Sequence, residues 1–244
     1  VHRIIVNTIY HKFPYIYIYI IFIWPDFPLN NDSWTKNSYM NYGPNIIDLN
    51  VPMASEHVKK PREKTIWHDA WTPEDPKLFY FGGFNTKDID ICFLGTFHSF
   101  IRVEFLKFLE NNIKKDKNYL FSGGQRQNAL SPEKYAELTR RTKIMLNFSY
   151  SPNGNHQVKG RVFEATSSGC LLLESKNELT NYFYEPNKEY IEFVNKEDCL
   201  DKILYFFKDE NKEEREKISL NGLKKFNENY TNNHFWNKLF KEIE

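Results

Sequence analysis

From residue 88 onward, short apolar runs alternate with segments whose apolar residues recur at helical spacing. That alternation leaves few folds open. Residues 90–95 (Asp-Ile-Cys-Phe-Leu-Gly) form a short apolar run closed by glycine. In 102–113, Val103, Phe105, Leu106, Phe108, Leu109 and Ile113 then line one helical face. Strand, glycine turn and helix make the opening unit of a nucleotide-binding α/β layer. Residues 119–124 (Tyr-Leu-Phe-Ser-Gly-Gly) repeat the strand and its turn. The next helix, 131–142, starts with Ser131 as N-cap, Pro132 in the first helical position and Glu133 in the first turn, and a strand follows over 143–148. Residues 159–174 read as a helix, a stop at Gly169 and a buried strand from Cys170. A strand over 189–194 and helices over 196–208, 213–230 and 233–243 complete the series. Five strands interleaved with helices imply a parallel sheet covered on both faces, with right-handed crossovers. The expected fold class is α/β, a Rossmann-like parallel sheet over residues 88–244.

Residues 1–87 have another texture. Segments 1–10 and 15–24 are β-rich, whereas 25–76 is broken by prolines, asparagines and glycine and holds no helical period. The apolar run 16–24 is about half the roughly 20 residues that a membrane span requires. Pro14 and Pro25 bracket it, and no small-residue cleavage site follows, so it is expected as a buried strand and no transmembrane segment is expected. Trp34, Trp67 and Trp71, with Asp26, Asp32 and Asp69, read as scattered residues packing under long loops rather than as a groove, and His57, His68 and Asp69 as ordinary loop polars rather than a metal or acid–base group. Across the chain 33 Lys and Arg nearly cancel 32 Asp and Glu, so overall charge argues against a nucleic-acid partner. Three cysteines without metal-knuckle spacing suit a reducing, cytoplasmic setting.

In parallel sheets of this kind ligands bind beyond the carboxyl ends of the strands. Those ends carry Gly95 and Thr96; Ser122, Gly123 and Gly124; then Asn147 and Ser149, with His156 further along the connection. The helix after 159 adds Lys159, Arg161 and Glu164. Glycines let the backbone approach an anion, and cations in the first turn of a helix join its unpaired N–H groups in favouring phosphate. Glu164, one turn inward, can accept hydrogen bonds from a sugar's hydroxyl pair. The set suits a phosphate-bearing ligand better than a metal, which needs more Asp, Glu, His or Cys. Taken singly, each residue has a blander reading: Gly123-Gly124 as a plain turn, Arg161 and Glu164 as a surface pair, His156 as a solvated loop residue.

The phrase Arg161-Val-Phe-Glu-Ala, followed by Ser168-Gly169 and an apolar strand, resembles the donor-binding signature of GT-B glycosyltransferases, enzymes built from two facing Rossmann-like halves. More closely it resembles the CgeB-like, spore-maturation-type branch of the group 1 glycosyltransferases, on the strand ending in Gly95-Thr96 before Arg102, the 131–135 phrase Ser-Pro-Glu-Lys-Tyr, the Asn147 strand, Gly222 and Tyr230-Thr231. The resemblance implies transfer of a sugar from a nucleoside-diphosphate sugar to an unidentified glycan, protein or small-molecule acceptor. It implies no cofactor and no obligatory metal. Glu164 is then expected to bind the ribose, Arg161 or Lys159 the diphosphate, and the turn at Gly95 to leave room for the donor. No catalytic base is assigned. Related retaining enzymes carry a second glutamate about two helical turns before the first; here His156 stands at that position. Residues 1–87 stand where the acceptor-side half belongs and would be a reduced or partial version of it. Two rival readings stay open: a non-catalytic nucleotide- or glycan-binding module, and a response-regulator-like domain, which would need acidic clusters where this chain has glycines, serines and cations.

Overall fold

The computed structural model describes residues 20–24, 46–50, 65–67, 74–95, 100–113, 116–122, 129–149 and 158–243. Contacts divide the chain into two units, Val1–Thr72 with Asn237–Glu244 and Pro73–Trp236. In the first unit β1 (Ile20–Trp24), β2 (Ile46–Asn50) and β3 (Thr65–Trp67) form a parallel sheet in that order. Ile20 pairs with Ile46 and Asp48 with Thr65. β1 falls in the expected apolar run. β2 and β3 lie in the stretch that sequence reading leaves irregular, since three to five residues are too few to declare a period.

The second unit follows the anticipated alternation: β4 (Ile89–Leu94), α1 (Phe100–Asn112), β5 (Tyr119–Ser122), α2 (Pro132–Arg141), β6 (Thr142–Asn147), α3 (Gly160–Ser167), β7 (Leu171–Ser175), α4 (Glu178–Asn181), β8 (Ile191–Phe193), α5 (Lys196–Phe206) and α6 (Lys212–Asn229). The last helix, α7 (Asn232–Ile243), belongs to this unit as far as Trp236 and to the first from Asn237. Among the described α-helices of this unit, only the one-turn α4 lies outside the expected series. All five strands run parallel in the order β5-β4-β6-β7-β8. This is a Rossmann-like, doubly wound sheet whose order reverses between β4 and β6, the place where such sheets open a crevice at their carboxyl edge.

Strand residues sort by parity, because successive side chains point to opposite faces. Ile91, Phe93, Ile144, Leu146, Leu171 and Leu173 share one core with Leu106 and Leu109 of α1 and Cys199, Ile203 and Phe206 of α5. From the alternate positions Cys92, Leu94, Met145 and Leu172 are buried too, and α2 and α3 pack on that side of β4, β6 and β7. The three cysteines are buried and free. No helix among the described residues is long and apolar enough to cross a membrane.

Helix α3 is fixed at its C-terminal end and along its inner side. Ser168 caps it and Gly169, at φ 65°, closes a Schellman turn: the N–H of Cys170 donates to Ala165 O at 2.9 Å and that of Gly169 to Thr166 O at 3.0 Å. Phe163 sits in an aromatic nest with Phe183 (5.3 Å between ring centroids), Tyr230 (5.7 Å) and Tyr184 (6.0 Å). Lys87, just before β4, is buried and donates to Arg140 O (3.0 Å), Thr142 O (2.8 Å) and Ser168 O (2.9 Å). One ammonium thus meets three carbonyls where α2 and α3 end, the pole of a helix that attracts cations, with Cys170 Sγ a further contact at 3.6 Å. Burial pushes its pKa down, with the neighbouring Cys170 opposing.

Candidate functional site

Because the strands are parallel and in close register, their carboxyl ends stand together. Leu94 pairs with Ser122 across β4 and β5, and Asn147 with Glu174 across β6 and β7. Gly95 extends the ladder by one bond, its N–H donating to Ser122 O at 3.0 Å. Helix α3 returns from this edge, so its first turn, with Lys159 as a half-exposed N-cap, opens onto it.

Arg161 joins these strand ends. Its Nη1 donates to Asn147 Oδ1, and its guanidinium carbon lies 5.0 Å from the Phe93 ring centroid. Its Nη2 occupies space that only a glycine leaves free, since a Cβ at residue 95 would come within 2.6 Å of it. Asn147 in turn donates through Nδ2 to Glu174 Oε2 at 2.6 Å and to Ser149 Oγ at 3.2 Å. The backbone N–H of Ser149 donates to Ser175 Oγ at 3.0 Å. Asn147, Ser149 and Glu174 are each 0% exposed. The amide orientation follows from chemistry: a guanidinium can only donate and a carboxylate only accept, so Oδ1 must face Arg161 and Nδ2 must face Glu174.

Glu164 follows Arg161 by three residues, on the same side of α3. The Tyr135 hydroxyl, from α2, donates to Glu164 Oε2. Burial raises the pKa of Glu164, while the Tyr135 hydrogen bond and Arg161 pull it back. A further carboxyl stands close by: burial, and then the charge of Glu164, lift Glu74 well above the usual carboxylate range. The Glu74 atom Oε1 is buried without a hydrogen-bond partner among the described residues. Two interacting buried carboxyls hold a shared proton more readily than either would alone.

Of the expected site residues, Gly95, Ser122, Asn147, Ser149, Lys159, Arg161 and Glu164 are gathered along this edge and the adjoining start of α3. Thr96, Gly123, Gly124 and His156 lie outside the described residues. Sequence reading assigned no role to Glu74, Tyr135 or Glu174. For Glu174 a signal existed: an acid ending the apolar run Leu171–Leu173 inside a strand buried on both faces needs partners.

Residues 102–241 match the family described as glycosyl transferase-like. The chain belongs to that family. As a glycosyl transferase-like chain it shares its fold with solved structures of the GT-B type. Sucrose-phosphate synthase from Thermosynechococcus elongatus aligns at TM-score 0.60 and 11% identity, over 86% of this chain and 70% of that one. A mutant of S. aureus TarM, in complex with fondaparinux, alpha-GlcNAc-glycerol and UDP, aligns at TM-score 0.57 and 13% identity over 85% of this chain. Anabaena HepE, in complex with UDP and glucose, aligns at TM-score 0.57 and 8% identity over 71% of this chain. The aligned part covers 53% of the TarM chain and 56% of the HepE chain. No curated protein sequence matches this glycosyl transferase-like chain.

Proposed function

We propose that this chain binds a nucleoside-diphosphate sugar at the carboxyl edge of its five-stranded sheet and passes the sugar to a glycan, protein or small-molecule acceptor. The observation that carries the reading is Arg161, laid against Gly95 at the point where strand order reverses, with Glu164 one turn further along α3. The HepE and TarM structures contain UDP, which supports the ligand class. In this reading Arg161, Lys159 and the opening N–H groups of α3 meet the charge that builds on the departing diphosphate, and no metal ion is given a role. The Glu164 carboxylate, steadied by Tyr135, accepts from the ribose hydroxyls. The sugar is a hexose or a relative of one, and the chain belongs to the CgeB-like branch, working in the cytoplasm. Residues 1–87 belong to an acceptor-side half, a reading supported by the parallel pairing of β1, β2 and β3.

Calorimetry with uridine, guanosine, adenosine and cytidine diphosphates tests the site. Arg161→Ala and Glu164→Ala should each weaken the tightest binder at least tenfold, about 1.4 kcal/mol. Wild-type affinity in both variants contradicts the assignment. Release of nucleoside diphosphate from the matching sugar conjugate then separates a transferase from a module that only binds.

A further inference from the structure

Asn147 stands between two groups that make opposite demands of it. Arg161 requires an acceptor, and Glu174 supplies the only carboxylate to which the amide donates among the described residues. Ser149, the amide's other partner, also faces the Glu174 carboxyl and with Asn147 favours its ionised form, so with its hydroxyl proton turned to Glu174 its oxygen accepts from the amide and supports the same orientation. If the amide turned over, it would present N–H to N–H at Arg161 and push the guanidinium away from the strand ends. Glu174 itself has no access to solvent, and its Oε1 finds no hydrogen-bond partner among the described residues. For packing alone, another leucine after Leu171–Leu173 would serve, without burying a carboxyl. What a glutamate adds at this position is an acceptor aimed at Asn147.

We propose that Glu174 is a positioning residue for the anion site: through Asn147 it sets the orientation of Arg161. The proposal rests on the donor-binding reading of Arg161. The charges facing Glu174 come from two other elements, Arg161 of α3, which favours its ionised form, and Glu192 of β8, which opposes it; Tyr190 donates to Glu192 at 2.8 Å. Burial, the largest influence, lifts the Glu174 carboxyl to about 7. A diphosphate arriving at Arg161 brings negative charge towards Glu174 and draws a proton onto it, so binding near neutral pH takes up protons.

The test is calorimetry of the tightest of the four nucleoside diphosphates against Glu174→Ala and Glu174→Gln, each alone and combined with Arg161→Ala. Glu174→Ala should weaken binding about fivefold or more, the scale of coupling within one hydrogen-bond network, and have little further effect once Arg161 is gone. Glu174→Gln should keep wild-type affinity or better, because its amide oxygen still accepts from Asn147, while proton uptake measured in two buffers of different ionisation enthalpy falls below wild type. Should Glu174→Ala fail to fold, the Glu174→Gln pair of readouts decides. Wild-type affinity in Glu174→Ala, an equal loss with and without Arg161, or unchanged proton uptake in Glu174→Gln overturns the proposal. A folded wild type that binds none of the four diphosphates overturns the donor-binding reading, and this proposal with it.

Discussion

Arg161 illustrates how several weak constraints hold one side chain. Asn147 takes one of its amine groups, the Phe93 ring lies beside its guanidinium, and Gly95 leaves it space over the end of β4. Its Nε is buried without a hydrogen-bond partner among the described residues. A planar guanidinium suits paired phosphate oxygens better than an ammonium would. The contact most easily disturbed is the one with Gly95. In Gly95→Ala the added methyl would meet Nη2 at 2.6 Å and Phe93 Cζ at 3.0 Å, both of them atoms of side chains. The backbone can therefore stay while the guanidinium moves. Diphosphate affinity should fall about fivefold, ~1 kcal/mol, with the melting temperature close to wild type. Unchanged affinity would mean that the guanidinium does not work from this position.

At the scale of elements, α3 carries the residues proposed to hold the donor, and its surroundings keep it in place. Its inner side is anchored by Phe163 among three aromatic rings, and Thr166 Oγ1 lies 2.9 Å from the Tyr184 hydroxyl. Its last turn is closed by Gly169, in the left-handed region and pressed against Phe81. A Cβ there would come within 2.4 Å of the Phe81 ring. Gly169→Ala should thus combine left-handed strain with a steric clash and lower unfolding stability by ~2 kcal/mol or more. Denaturant titration checks this: the midpoint drops while the slope stays near wild type. A midpoint equal to wild type would show that this turn does not hold α3.

Across the whole molecule, what could be read in advance is what local chemistry dictates. The strand-and-helix series of the second unit was legible because each element has its own period or cap: Ser131 does accept from the Lys134 N–H, at 3.2 Å, and the helix before Gly169 does stop there. Strand order was not legible, since alternation implies parallel crossovers without saying that β4 lies between β5 and β6. The partners of the site residues were hidden for a related reason. Tyr135 and Glu164 are 29 residues apart, and Asn147 and Glu174 are 27 apart, so only the folded sheet brings them together. Lys87 had no local signal either; its three carbonyl partners come from the ends of two helices and the start of β6. A crystal structure with the tightest-binding diphosphate tests whether this edge is the proposed nucleoside-diphosphate site. Phosphate oxygens should lie on the Arg161 guanidinium, beside Gly95, and ribose hydroxyls on Glu164. A diphosphate bound elsewhere, with Arg161 and Glu164 free of it, would overturn the assignment of this site.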